Sequence, residues 1–297
     1  WHNFGDVDTL SLSRKKLHYA FDHGITHFDL ANNYGPSYGS AEETFGQIMK
    51  SSFAPYRDEL FISTKAGHDM WPGPYGNWGS RKHLMASLDQ SLKRMNLDYV
   101  DVFYSHRYDP ETPLEETLQA LVDIVRKGKA LYVGLSKYPL DAYLFASRYL
   151  KERDVPCLLY QGRYSMLVRE PESQGILNAV KENGSGFVAF SPLAQGLLTN
   201  RYLNGIPDNS RIARGGFLKK EALTPEVLSK IQALNERAAM RGQSLAEMAL
   251  AWLLKNETVT SVIVGASSVE QLGDSLKTLN HLSFEEEELH AIEKILM

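Results

Sequence analysis

The chain has 297 residues, 43% of them hydrophobic and 23% charged, with a formal net charge of −4. This length can bury a sizeable core and suits one barrel domain better than two ordinary ones, and the slight acidity gives no reason to expect nucleic acid or an anionic membrane as partner. The single cysteine, Cys157, excludes an internal disulfide and fits a reducing, cytoplasmic setting; no apolar run approaches the roughly 20 residues of a membrane span, and no secretory leader is visible. The chain starts at Trp1 and stops within a helical pattern at Met297, so both natural ends are expected to be missing.

In chain order, Ser13 caps a helix whose Leu17, Ala20 and Phe21 share a face, and Gly24 ends it. A short strand follows through Phe28 and stops at Asp29. Tyr34 comes five residues later, in a loop punctuated by Gly35, Pro36 and Gly39. Ser40 and Glu43 are spaced as a capping box for a second helix. The strand Leu60 to Thr64 runs into Lys65, and Gly67 to Gly79 is an aromatic loop holding Trp71, Tyr75 and Trp78. Ser80 opens a helix with Leu84, Leu88, Leu92 and Met95 inward, and it leads to a strand from Val100 to Ser105 that ends at His106.

Pro113 to Lys127 reads as a helix closed by Gly128. Ala130 to Ser136 is strand-like, Leu140 to Leu150 helical, Cys157 to Gln161 strand-like, Ile176 to Glu182 helical and Phe187 to Ser191 strand-like. Asn200 to Leu223 is a long connection, and Pro225 to Arg241 an additional helix. Leu245 to Leu254 is then a helix, Ser261 to Ser267 a strand and Val269 to Leu279 a helix, while Glu285 to Glu288 forms the acidic first turn of a terminal helix. Unbroken strand and helix alternation predicts an α/β fold, a (β/α)8 TIM barrel of one domain over residues 1–297, its first strand largely missing ahead of Trp1. The rival, an open doubly wound sheet, wants a glycine-rich turn opening a helix. The only such pattern, Gly184 to Ala189, precedes a strand.

Three apolar strands thus end in Asp29, Lys65 and His106, and the C-terminal ends of parallel barrel strands share the rim where barrel enzymes place their chemistry. Alone, an acid, a tyrosine or a lysine at a strand end is more often a paired surface group, and a histidine is as often structural as catalytic; the ordered set reverses that balance. His23 and His27 have metal-like spacing without a carboxylate or thiol partner and read as structural, so no metal is expected.

Asp29, Tyr34, Lys65 and His106, in that order at strand ends, resemble the catalytic tetrad of the aldo-keto reductases. Further matches are Trp1, Ser136, Gln161, the run Ser191 to Leu197 and the run Gly265 to Leu272, so the resemblance spans nearly the whole chain. Phrases such as Phe-Asp-Leu-Ala-Asn-Asn-Tyr-Gly and Trp-Pro-Gly-Pro-Tyr-Gly are similar to the branch holding the L-glyceraldehyde 3-phosphate and methylglyoxal reductases and the potassium-channel β subunits.

The resemblance implies NADPH as cofactor. Trp1 lies by the nicotinamide, Asp29, Ser136 and Gln161 lie at its carboxamide end, and Ser191, Leu193 and Gly196 follow the pyrophosphate. Arg201 and Arg211 match basic loop positions, and Gly265, Ser267, Gln271 and Ser275 match the region of the 2′-phosphate. Ser268 and Gln271 stand where many relatives place an arginine.

Carbonyl reduction needs a hydride on carbon and a proton on the developing alkoxide. In the implied scheme Tyr34 gives the proton, Lys65 stabilises the phenolate, Asp29 holds Lys65 charged, and His106 aligns the substrate oxygen. Tyr34, Trp71, Tyr75, His106 and Arg107 would line the substrate pocket, the alternative for Trp71, Tyr75 and Trp78 being a core plug under the loop; Arg107 and Arg163 are candidates for a substrate phosphate or equally solvated surface arginines.

The expected function is a cytoplasmic NADPH-dependent reductase of small carbonyl substrates, methylglyoxal or a glyceraldehyde phosphate, with a homo-oligomer as an open alternative to a monomer. The rival reading is a nucleotide-sensing regulatory subunit similar to the channel β subunits, which commonly depart from histidine where this chain has His106. A lyase or isomerase using Lys65 as a Schiff base would need no nicotinamide, and the match over Gly265 to Gln271 argues against it.

Overall fold

Strands buried on both faces read as continuous apolar runs, and the runs that end at Lys65 and His106 have that burial. In β2 (Phe61–Ala66) only Phe61 is not buried, and β3 (Val100–Ser105) is buried throughout. The computed structural model describes residues 3–203, 205–207 and 218–297. They divide into two packed units. The first comprises Trp1–Gln161, Gly175–Gly186 and Gly265–Val269; the second comprises Gly162–Gln174, Phe187–Val264 and Glu270–Met297.

The first unit alternates helix and strand: α1 (Leu10–Asp22), β1 (His27–Asp29), α2 (Ser40–Ile48), β2, α3 (Arg81–Met95), β3, α4 (Leu114–Arg126), β4 (Ala130–Ser136), α5 (Leu140–Lys151) and β5 (Cys157–Arg163). Each strand pairs in parallel with the next, β1 with β2 through to β4 with β5. Parallel neighbours require a crossover, and a helix supplies it each time. After α6 (Glu170–Ser173) and α7 (Ile176–Glu182), β6 (Gly186–Phe190) pairs in parallel with β7 (Val259–Val262), with α8 (Pro225–Met240) and α9 (Leu245–Leu254) between them in sequence. The chain closes with α10 (Val269–Lys277) and α11 (Glu286–Leu296). This repeating unit, with sheet order following chain order, is the (β/α)8-barrel class expected from the sequence. Among the described residues no helix is long and apolar enough to cross a membrane.

The helices bury the faces their periodicity marks. Leu118, Leu121 and Ile124 of α4 and Leu84, Leu88 and Met95 of α3 are fully buried, each such side chain contributing about 1.5–3 kcal/mol relative to exposure. Ser80 caps α3 as expected, its Oγ accepting from the His83 amide at 3.3 Å. Two expected caps lie elsewhere. Helix α1 begins at Leu10 because Thr9 accepts from the Leu12 amide, which leaves Ser13 inside it. Helix α2 is preceded by Gly39 at φ +93°, so the backbone turns without a side-chain cap and Ser40 forms no capping box. The last strand is also shorter and earlier than expected, at Val259–Val262, because only this stretch pairs with β6.

Two interactions fix the first unit behind the strand ends. Glu42 of α2, fully buried, accepts from Arg94 Nε of α3 at 2.8 Å and from Thr64 Oγ1 of β2. Across β3 and β4, Tyr104 is in register with Gly134, and a Cβ on Gly134 would come within 2.3 Å of the Tyr104 ring. The missing side chain therefore makes room for a fully buried ring, over which Lys65 Nζ sits 5.6 Å from the centroid. Gly134→Ala is expected to overpack this spot and destabilise the protein by about 2 kcal/mol. A urea denaturation midpoint that does not move would show that the ring has slack.

Candidate active site

The strand register brings an acid and a base together. β1 pairs with β2 so that Asp29 lies opposite Ser63, and Lys65, two residues further along β2, points to the same face. Ser63 Oγ donates to Asp29 Oδ1 at 2.7 Å, and Lys65 Nζ donates to Asp29 Oδ2 at 2.5 Å. From β5, Gln161 Nε2 adds a third donor to Asp29 at 3.1 Å. Lys65 is fully buried, and its remaining hydrogens go to the Leu30 carbonyl at 2.7 Å and the Tyr34 hydroxyl at a longer 3.4 Å. A buried ammonium survives only when paired and hydrogen-bonded, and here each of its three hydrogens has an acceptor.

Tyr34 is held by short-range geometry. Its amide donates to the Ala31 carbonyl at 3.1 Å, closing a turn directly after β1. Lys65 Nζ lies 4.9 Å from its ring centroid, and the His106 ring packs edge-on at 5.9 Å. Burial raises the Tyr34 hydroxyl above the ordinary tyrosine value; Lys65 works against this but does not overcome it. The sequence suggests a phenol softened by its lysine. In the resting geometry the phenol instead keeps its proton.

For Lys65, burial alone would lower its proton affinity, but Asp29 and then Tyr34 outweigh it and the net shift is upward. His106 is driven well below the usual histidine range by burial, and then by Lys65, His68, Lys137 and Arg107, so it stands neutral.

Several buried polar atoms around this network have no hydrogen-bond partner among the described residues: Ser136 Oγ, His106 Nδ1 and both amide atoms of Asn32. Such atoms are rare and costly, and each calls for an explanation. Ser136 is in register with Gln161, so their side chains are neighbours on adjacent strands.

Sequence reasoning missed Asn32, His68 and Lys137. For Lys137 a signal was present, since a basic residue directly follows the strand end at Ser136. Its Nζ lies 3.0 Å from His68 Nε2, and the His68 ring sits edge-on to His106 at 4.5 Å. Asn32 carries no local sequence signal; only its complete burial distinguishes it.

The aromatic loop divides its contacts. Trp71 packs against His83 of α3 at 5.0 Å, and the exposed Tyr75 lies under Lys82 Nζ at 4.3 Å, so both of these expected pocket residues face α3. Trp78 instead carries the Arg107 guanidinium, 3.7 Å over its ring. Arg107 also donates to the Gly67 carbonyl and to Asn77 Oδ1, at 2.8 and 2.7 Å. Arg163 is exposed at the end of β5.

Of the remaining expected positions, Trp1 and Arg211 lie outside the described residues. In the second unit, β6 runs into a loop where Ser191, Ala194 and Gln195 take left-handed backbone angles (φ +54°, +46° and +59°), followed by Gly196 at +101°. Non-glycine residues adopt that region sparingly, and it concentrates at functional loops. Leu193 accepts from the amides of Gly196 and Leu198, at 2.8 and 3.2 Å. Arg201 lies in a short helical turn, Asn200–Tyr202. Gly265 and Ser267 are exposed ahead of α10, in a segment that Lys16 anchors by donating to the Ala266 carbonyl at 3.0 Å. Gln271 is on α10, its carbonyl accepting from Ser275 Oγ at 3.0 Å.

Comparison with known proteins agrees with this arrangement. The model of the aldo/keto reductase family matches residues 6–297. An L-glyceraldehyde 3-phosphate reductase of Escherichia coli (strain K12) is 56% identical over 99% of this chain and 86% of its own length. A probable voltage-gated potassium channel subunit beta of Arabidopsis thaliana is 35% identical over 94% of this chain and 85% of its own length.

The Asp29 and Lys65 pair makes a prediction with a definite sign. In the native protein the raised Lys65 contributes stability that is complete below the unfolded lysine value of ~10.4 and is lost only as pH rises through the higher folded value. Asp29→Asn removes the largest opposing influence and leaves burial to lower Lys65. The unfolded chain then binds more protons than the folded one, so stability rises with pH. The variant is expected to lose roughly 3–5 kcal/mol at about pH 7. The gap should narrow towards about pH 9.5 in paired urea titrations, and a gap independent of pH would refute the account.

Proposed function

The chain belongs to the aldo/keto reductase family and is an oxidoreductase, and from that premise we propose that it reduces small aldehydes to alcohols with NADPH, taking three-carbon substrates of the methylglyoxal or glyceraldehyde phosphate class. The observation that carries the reading is the fully buried ammonium of Lys65, which reaches a carboxylate and a phenol at once. The 56% identity to a protein named L-glyceraldehyde 3-phosphate reductase supports the substrate class. The continuous match from residue 6 to 297 supports reading the chain as one reductase domain.

The residues present suit the cofactor. Ser136 Oγ has no hydrogen-bond partner among the described residues and neighbours Gln161, as a carboxamide requires. In the loop after β6, where Ser191, Ala194, Gln195 and Gly196 have left-handed angles, the amides of Ala194, Gly196, Leu197 and Leu198 donate to carbonyls of the loop itself, so a pyrophosphate role there rests on the family match. Ser267, just ahead of α10, stands where a helix start favours an anion, with Gln271 and Ser275 on the helix itself. NADPH, when bound, supplies the hydride.

The chain's own residues then handle the proton. Tyr34 holds it at rest, because burial disfavours the phenolate until a substrate oxygen gains charge. As that charge develops, the proton passes from Tyr34 to the oxygen. Lys65, fixed by Asp29, faces the phenolate left behind. His106 is neutral and so offers an N–H to the same oxygen without competing as an acid. Water returns the proton to Tyr34 after turnover.

Tyr34→Phe is expected to lower kcat by roughly 10²–10⁴-fold while NADPH affinity, followed by tryptophan quenching, holds. Tight NADPH binding by the wild type without oxidation of NADPH by either aldehyde would replace the reductase reading with a regulatory one. With methylglyoxal, kcat/KM should show no inflection near the ordinary histidine value of ~6.5, because His106 is already neutral there. A clear limb at that pH would remove His106 from its assigned role.

A further inference from the structure

Beside the Lys65 network, three basic groups converge that proton transfer does not use. Lys137 directly follows β4 in a left-handed conformation (φ +55°), and its amide donates to the Gln161 carbonyl at 3.1 Å. That bend turns its side chain to the loop after β2, where Nζ meets His68 Nε2 at 3.0 Å. Arg107, stacked on Trp78 and tied to Asn77 and Gly67, is the third.

No carboxylate lies within ion-pair distance of Lys137 among the described residues. The charged groups that act on it, Arg107 and Lys65, are themselves cations. Resting on the reductase reading above, we propose that Lys137 and His68, with Arg107 beside them, form an anion subsite that takes the phosphoryl group of a three-carbon aldehyde phosphate.

Spacing supports the assignment. His68 lies 4.5 Å from His106, ring to ring, and Lys137 Nζ lies 3.0 Å beyond one of its nitrogens. A three-carbon phosphate places its phosphorus roughly 5 Å from its carbonyl carbon, from bond lengths near ~1.5 Å. That length matches a carbonyl held at Tyr34 and His106 with its phosphate directed to the His68 and Lys137 pair, since His68 is the ring that joins His106 to Lys137.

Electrostatics agrees. The residue is exposed, yet crowding around its ammonium, followed by Arg107 and Lys65, brings Lys137 down to about 8. Burial, followed by Lys137 and Arg107, brings His68 down to about 4, so it is neutral and accepts from Lys137. Asp69 and Asp109 already act on Arg107, so Lys137, which has no carboxylate within ion-pair distance among the described residues, is the cation left to be relieved by an incoming anion, and a dianion gains most. The arrangement selects for phosphorylated over neutral aldehydes.

The test is calorimetric titration of NADPH-loaded protein with glycerol 3-phosphate, which carries the phosphoryl group but no reducible carbonyl. Lys137→Asn keeps a residue that tolerates a left-handed backbone and removes the charge; Lys137→Arg keeps the charge. Affinity is expected to fall at least ~10-fold in the first and to hold within ~3-fold in the second. In the wild type, affinity should weaken as pH rises through about 8 and Lys137 loses its proton, whereas the arginine variant should not show this loss.

In kinetics, the ratio of kcat/KM for glyceraldehyde 3-phosphate to that for methylglyoxal should drop by a similar factor in Lys137→Asn. Unchanged glycerol 3-phosphate binding in Lys137→Asn, or an equal loss of NADPH affinity, would overturn the proposal, the latter by moving Lys137 to the cofactor. A protein that binds glycerol 3-phosphate through Lys137 yet oxidises no NADPH would keep the subsite and remove the reductase reading.

Discussion

A fully buried ammonium is costly, and where Lys65 lies against Asp29 much of the first unit is arranged to make it tolerable. Three strands contribute. β1 brings the acid, β2 brings the lysine and the serine that shares the acid, and β5 sends Gln161 to the same oxygen. Tyr104 on β3 floors the site and Gly134 on β4 gives way to it. Parallel register decides all of this, since a slip of one residue would turn Lys65 to the helix side, where Thr64 now meets Glu42.

Around that pair, one low-dielectric environment pushes three titratable groups in different directions. Burial raises Tyr34 and lowers His106, while Lys65 goes up because Asp29, and then Tyr34, oppose burial. The result is a protonated phenol, a neutral imidazole and a charged ammonium coexisting at neutral pH. Such separation of protonation states by environment is what acid and base chemistry requires of a folded protein.

Much of this was legible in the sequence because it depends on order along the chain. Strand ends at Lys65 and His106 follow from apolar runs that stop at a charge, and helices such as Leu245–Leu254 and Ile176–Glu182 follow from periodicity alone. What escaped depends on backbone geometry or on proximity across the chain. The start of α2 is set by a left-handed Gly39, which Ser40 and Glu43 disguise as a capping box. His68 and Lys137 are 69 positions apart, and only the register of three neighbouring strands, β2, β3 and β4, makes them neighbours. Trp71 and Tyr75 sit in the loop that leaves Lys65, yet the loop folds towards α3, because His83 anchors the Tyr75 carbonyl at 2.9 Å.

Strand β5 carries one more group. Cys157, four positions ahead of Gln161, is buried, donates to the Leu159 carbonyl at 3.4 Å and is raised by burial to about 12. Only the thiolate reacts, so this sulfur is chemically silent while β5 stays in the sheet. Because the same strand delivers Gln161 to Asp29, a thiol reagent reaching Cys157 would register the moments when the support of the acid comes apart. The protein thus carries a built-in reporter of local opening on the strand that supports the buried Asp29 and Lys65 pair.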